Sequence, residues 1–81
     1  MNETLELYYY PACPYCQKVL RAIDELGVAD AIELKNIRAD EHARQTLVEV
    51  GGKQQVPCLF IDGAPLYESG DIVKWLRGAL A

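Results

Sequence analysis

The 81-residue sequence predicts an α/β domain in the order β-α-β-α-β-β-α, a four-stranded mixed sheet flanked by helices. Apolar strand-like runs alternate with stretches of helical period, and glycines or turn pairs mark the changeovers. The last two strands are separated only by Asp62-Gly63, which makes them an antiparallel hairpin. Residues 1–81 carry no repeat, low-complexity tract or linker, so a single domain is expected.

The elements follow in order. Leu5 to Tyr10 is apolar and aromatic throughout except for Glu6, as befits a central strand covered on both faces. Val19, Leu20, Ile23 and Leu26 then recur at helical spacing and stop at Gly27. Ile32 to Ile37 alternates apolar and polar as a second strand. Asp40 is placed to cap a helix that carries Ala43, Leu47 and Val50 on one face and ends at Gly51. After Pro57, Cys58 to Ile61 forms a third strand and Ala64 to Tyr67 a fourth. Ser69 is expected to cap the last helix, whose apolar stripe is Ile72, Val73, Leu76 and Leu80, with Trp75 nearby.

Composition narrows the function. An apolar fraction of 51% supports a packed core at a length where small domains begin to manage without disulfides or metal. Three cysteines do not make a secreted disulfide scaffold, because one is left over and two are too close to close a long loop. The net charge is −4 and the eight basic residues are scattered, so neither a nucleic-acid footprint nor a polybasic membrane patch is expected. The opening Met1-Asn2-Glu3-Thr4 lacks a signal-peptide pattern and no run reaches membrane-spanning length, so a cytoplasmic location is expected; the chain is also expected to be a monomer.

Cys13-Pro14-Tyr15-Cys16 stands where the first strand meets the first helix. That placement sets Cys13 against the unsatisfied N–H groups of the first helical turn, which favours a thiolate. Cys16 lies three residues on, one turn deeper on the same face, so Cys13 is the attacking thiol and Cys16 the resolving one. Pro14 costs no hydrogen bond at a helix start and fixes φ there. A half zinc site completed by Cys58 and His42 is the competing reading, but no second ligand pair stands at zinc-finger spacing, and no metal is expected. Cys58 itself reads as a core thiol and His42 as a solvated helix residue. Tyr8, Tyr9 and Trp75 read as core, whereas Tyr10, beside Pro11-Ala12 and Cys13, is placed to line a thiol groove. The carboxylates Asp24, Glu25, Glu41 and Glu49 read as solvated helix faces, so the thiols carry the reaction.

With this dithiol followed by Gln55-Val56-Pro57 at the opening of the third strand, the whole chain resembles the glutaredoxins, which have a thioredoxin-like fold and use glutathione. Cys13-Pro14-Tyr15-Cys16 matches their dithiol motif residue for residue, and Val56-Pro57 matches their cis-proline motif. The resemblance implies that Pro57 is cis and faces the dithiol, with Tyr15 lining the site, and that the backbone of Val56 pairs with glutathione as a short antiparallel strand. Lys53 takes the place of a family residue that pairs with the glycine carboxylate of glutathione; as a residue type it serves equally well as a solvated lysine. Glu68-Ser69-Gly70-Asp71 covers the region that holds the γ-glutamyl end, although Ser69 and Asp71 also suit a plain helix start.

Two departures stand out. Tyr10 occupies the place of a common family lysine, and Gln55 that of a threonine, leaving Lys53 as the expected cation near the thiols. The segment Leu66 to Ile72 is also more similar to the glutathione-binding Glu-Ser segment of glutathione transferase N-terminal domains than to glutaredoxins. The resemblance implies a glutathione-dependent thiol-disulfide oxidoreductase that reduces disulfide or glutathionylated proteins, with glutathione as co-substrate and no bound cofactor. Two alternatives stay open: a carrier in which two protomers hold an iron-sulfur cluster through Cys13 and glutathione, and a redoxin reduced by thioredoxin reductase.

Overall fold

A strand with apolar side chains on both faces needs a layer on each side of its sheet, and the first strand sets this architecture. In the computed structural model, which describes residues 4–80, the elements are β1 (Leu5–Tyr9), α1 (Pro14–Leu26), a 3₁₀ turn (Ala29–Ala31), β2 (Ile32–Asn36), α2 (Glu41–Gly51), β3 (Cys58–Ile61), β4 (Ala64–Tyr67) and α3 (Ser69–Leu80). The sheet order is β2-β1-β3-β4. Strand β1 runs parallel to β2, with Leu7 opposite Leu34, and antiparallel to β3, with Leu7 opposite Leu59. The mixed four-stranded sheet expected from the sequence is therefore present.

Alternation along β1 feeds two cores. Leu5 and Leu7 join Val19, Ile23, Ile32, Leu59, Ile72 and Leu76 under α1 and α3. Tyr8 joins Ile37, Ala43, Leu47, Cys58 and Phe60 under α2, with its ring 4.6 Å from that of Phe60. The hairpin forms as expected, with positive φ at both Asp62 (50°) and Gly63 (85°), the twist that suits a two-residue connection. Asp62 also ties the turn to β1: its N–H donates to the Thr4 carbonyl at 2.8 Å, and its Oδ1 accepts from the Thr4 N–H at 2.7 Å.

Several boundaries differ from the sequence reading, each for a local reason. Strand β1 stops at Tyr9 because the Tyr10 carbonyl turns to accept the Cys13 N–H at 3.2 Å. Strand β2 stops at Asn36, whose Oδ1 accepts from the Arg38 and Ala39 N–H groups and bends the chain before Ile37. Asp40 caps α2 as expected, accepting from the His42 and Ala43 N–H groups. That helix runs through Gly51 and is capped by Gly52 at φ 90°, and Val50 is 54% exposed, off the buried face formed by Ala43 and Leu47. The space beside Leu47 at that end belongs to Tyr67, whose hydroxyl lies against Gly51. Ser69 is the first helical residue of α3 and does not cap it; Glu68 holds the cap position, and its carbonyl accepts the Ile72 N–H at 3.0 Å. Ile72 and Leu76 are buried, with Val73 and Trp75 packed against them; the Leu80 side chain lies outside the described residues.

Candidate functional site

The dithiol sits where the sheet hands over to α1. Cys13 is the N-cap residue, with extended backbone (φ −77°, ψ 120°), and its Sγ accepts from the Cys16 N–H at 3.4 Å. Pro14 follows as the first helical residue, so the position without an N–H falls where none is needed. The loop before it is braced by the Cys13 N–H on the Tyr10 carbonyl and by the Gln17 side-chain amide on the Pro11 carbonyl at 3.0 Å. Cys13 keeps 5% of its surface exposed and Cys16 none. Burial pushes the Cys16 thiol up to about 12, and the neighbouring Cys13 adds to the rise. A protonated, shielded Cys16 next to an N-cap Cys13 gives the two thiols different chemistry.

The Val56–Pro57 peptide bond is cis. Pro57 is buried at the entrance to β3, and Gln55, Val56 and Pro57 form one wall of a cleft of about 370 Å³. Glu68 and Ser69 form the opposite wall, and Tyr15, 67% exposed, reaches it from the dithiol turn. Gln55 spans the walls by donating from Nε2 to Glu68 Oε2 at 3.4 Å. Glu68 has φ 73°, a left-handed conformation that costs a non-glycine residue roughly 1–3 kcal/mol and often marks a functional site. The N–H groups of Ser69, Gly70 and Asp71 precede the first hydrogen bond within α3, which makes that helix end a place for an anion. Among the described residues, the Val56 backbone makes no hydrogen bond to the chain and faces no strand partner.

A second cleft, of about 410 Å³, adjoins the first and shares Gln55 and Val56 with it. Its cationic lining comes from residues the sequence reading missed. Arg38 stacks its guanidinium 3.8 Å over the ring of Tyr10, and Arg44, which pairs with Glu41, donates to Gln54 Oε1 at 3.4 Å. Tyr10 thus lines a groove, and at the place of the common family lysine it holds the Arg38 guanidinium. Nothing in the local sequence around Arg38 or Arg44 singles them out; only the packing of α2 beside the end of β1 brings them there.

Of the residues singled out from the sequence, Tyr15, Gln55, Val56, Pro57, Glu68 and Ser69 meet at the first cleft. Gly70 and Asp71 stand exposed in the first turn of α3, outside its lining. Lys53 lines neither cleft: its Nζ lies 4.5 Å over the Tyr67 ring. Cys58 is fully buried under α2, and burial pushes its thiol up to about 11, the behaviour of a core cysteine.

Residues 7–80 match the family described as glutathione S-transferase, N-terminal domain. Glutaredoxin 1 of Rickettsia conorii is 38% identical over 60 residues, a match covering 73% of this chain and 58% of that one. The chain therefore spans less than two thirds of the length of this curated relative. Among solved structures, glutathione transferase Omega 3C from Trametes versicolor superposes with a TM-score of 0.79 at 25% identity, covering 94% of this chain and 33% of that one. The thioredoxin-like protein BC3987 superposes at 0.75 with 26% identity, covering 91% of this chain and 96% of that one. The thioredoxin fold, the glutaredoxin-like dithiol and the transferase-like Glu68-Ser69 wall agree with these likenesses, and the chain belongs to the glutathione S-transferase N-terminal domain family as a glutaredoxin-like member.

Proposed function

We propose that the chain is a glutathione-dependent thiol-disulfide oxidoreductase, acting on glutathionylated or disulfide-bonded proteins. The observation that carries this reading is the division between an N-cap Cys13 that accepts an N–H and a buried, protonated Cys16, next to Tyr15 and a cleft that the unpaired backbone of Val56 lines just before β3. The name of the Rickettsia relative supports the same chemistry.

In this reading the tripeptide lies extended along Val56, with its γ-glutamyl carboxylate at the α3 N-terminus and its glycine end running past Gln55 toward Arg38 and Arg44. The Cys13 thiolate attacks the glutathionyl sulfur of a mixed disulfide. That S–S bond breaks, the target protein leaves as a thiolate and takes a proton, and glutathione remains bonded to Cys13. A second glutathione thiolate then attacks the bound glutathionyl sulfur, releasing oxidised glutathione and restoring Cys13. With a protein disulfide as substrate, Cys13 forms the mixed disulfide and Cys16, after losing its proton, attacks the Cys13 sulfur. This releases the reduced protein and leaves a Cys13-Cys16 disulfide for two glutathione molecules to reduce. Glutathione is the co-substrate, and a cytoplasmic setting in which it is kept reduced completes the reading.

The test is reduction of a glutathionylated peptide with glutathione and glutathione reductase as the recycling couple. The reading expects turnover by the native chain and none by Cys13→Ser. A native chain that reduces disulfides only when thioredoxin reductase is supplied contradicts it.

A further inference from the structure

Tyr67 ends β4 and directly precedes Glu68, yet the dithiol chemistry gives it no role. It lies opposite Cys58 in the β3–β4 pair; Cys58 follows Pro57 and Tyr67 precedes Glu68, so this strand pair joins the two segments that line the first cleft, while the Tyr67 ring packs on the α2 side outside that lining. Its hydroxyl donates to the Lys53 carbonyl at 3.3 Å. Its ring carries the Lys53 ammonium at 4.5 Å, so both the backbone and the side chain of Lys53 are fastened to one residue. Gly51 makes this approach feasible, because a Cβ there would collide with the Tyr67 hydroxyl.

The segment so fastened leads from the end of α2 to Val56-Pro57 and has no regular structure of its own. Among the described residues its other hydrogen bond to the β4–α3 side is that of Gln55 with Glu68. We infer that Tyr67 is a positioning residue that holds the Lys53–Pro57 segment at the correct distance from Glu68-Ser69, setting the cleft for an extended γ-glutamyl thiol. On this account Lys53 is an anchor of the loop, and Gly51 is small so that the anchor closes. The inference rests on the glutathione reading for the identity of the ligand, and on the contacts alone for the tether.

Tyr67→Phe keeps the ring under Lys53 and removes the hydroxyl, whereas Tyr67→Leu removes both. Loss of one such hydrogen bond converts to about a three- to tenfold rise in KM for a glutathionylated peptide, with kcat changed less than twofold. Tyr67→Leu should raise KM further, and Gly51→Ala should raise it in the same direction by displacing the hydroxyl. Backbone amide order parameters of residues 52–56 should fall in all three while the α1 and α3 amides stay ordered and protected from exchange. Unchanged KM in Tyr67→Phe and Gly51→Ala overturns the inference, as does a fall in kcat, a rise in KM and a loss of order spread evenly over the whole domain. A native chain that turns over no glutathionyl substrate overturns the glutathione reading instead, and the order parameters, which need no turnover, then decide the tether.

Discussion

The Cys16 N–H donates to Cys13 Sγ at 3.4 Å across the first turn of α1, while the Cys16 thiol is wholly buried. One residue thus supports its neighbour's sulfur through its backbone and withholds its own. Burial, which pushes the Cys16 thiol up to about 12 and that of Cys58 up to about 11, makes both poor nucleophiles at neutral pH. Iodoacetamide at pH 8 should modify Cys13 first, with Cys16 and Cys58 at least about 100-fold slower than a free cysteine. Peptide mass spectrometry after timed quenching gives the order, and early labelling of Cys58 would contradict it.

The same raised values couple stability to alkaline pH. A free cysteine ionises near pH 8.5, so above that pH the unfolded chain sheds protons that the folded chain keeps on Cys16 and Cys58. The unfolded state then binds fewer protons than the folded one, and stability falls as pH rises toward 11. Below pH 8 both states hold these protons and the effect vanishes. Urea midpoints measured from pH 7 to 10 should decline above about pH 8.5. Cys58→Ala should flatten that decline relative to the native chain.

Arg38 and Arg44 make a prediction that separates this site from its sequence-level description. Both line the second cleft, whereas Lys53 is held on Tyr67. Arg38→Ala should raise KM for a glutathionylated peptide about tenfold, the loss of one charged hydrogen bond, and high salt should narrow the gap. Ethyl-esterified glutathione, which lacks the glycine carboxylate, should show no such difference between native chain and variant.

The fold's anchor is the Leu7 position. Leu7 is fully buried between Leu34 and Leu59 and packs under α1 and α3. Leu7→Ala should cost about 2–5 kcal/mol in urea unfolding. Asp40→Ala, which removes the α2 cap, should cost about 1 kcal/mol and leave the dithiol site untouched.

Much of this was legible because local chemistry and tertiary structure agree. The Asp62-Gly63 hairpin, the Asp40 cap and the Gly27 stop each depend on residues adjacent in sequence, and each forms as expected. The dithiol turn was readable for the same reason. The misreadings share another cause. Ser69 looks like a helix cap, but the left-handed turn at Glu68 moves the cap one residue earlier. Val50 fits a helical stripe, but Tyr67 from a distant strand takes its place over the core. Arg38 and Arg44 join the site only through packing of β1 against α2, and Lys53 leaves the clefts through a contact with β4. Period and motif do not report such long-range contacts.

The central claim is that Cys13 is the sulfur that takes up glutathione. The most direct measurement is intact and peptide mass spectrometry of Cys16→Ser after incubation with oxidised glutathione at neutral pH. The account predicts one glutathionyl adduct per chain, on Cys13, removed by reduced glutathione and absent when Cys13→Ser is added. An unmodified Cys13, or an adduct that forms instead on Cys58, would contradict it.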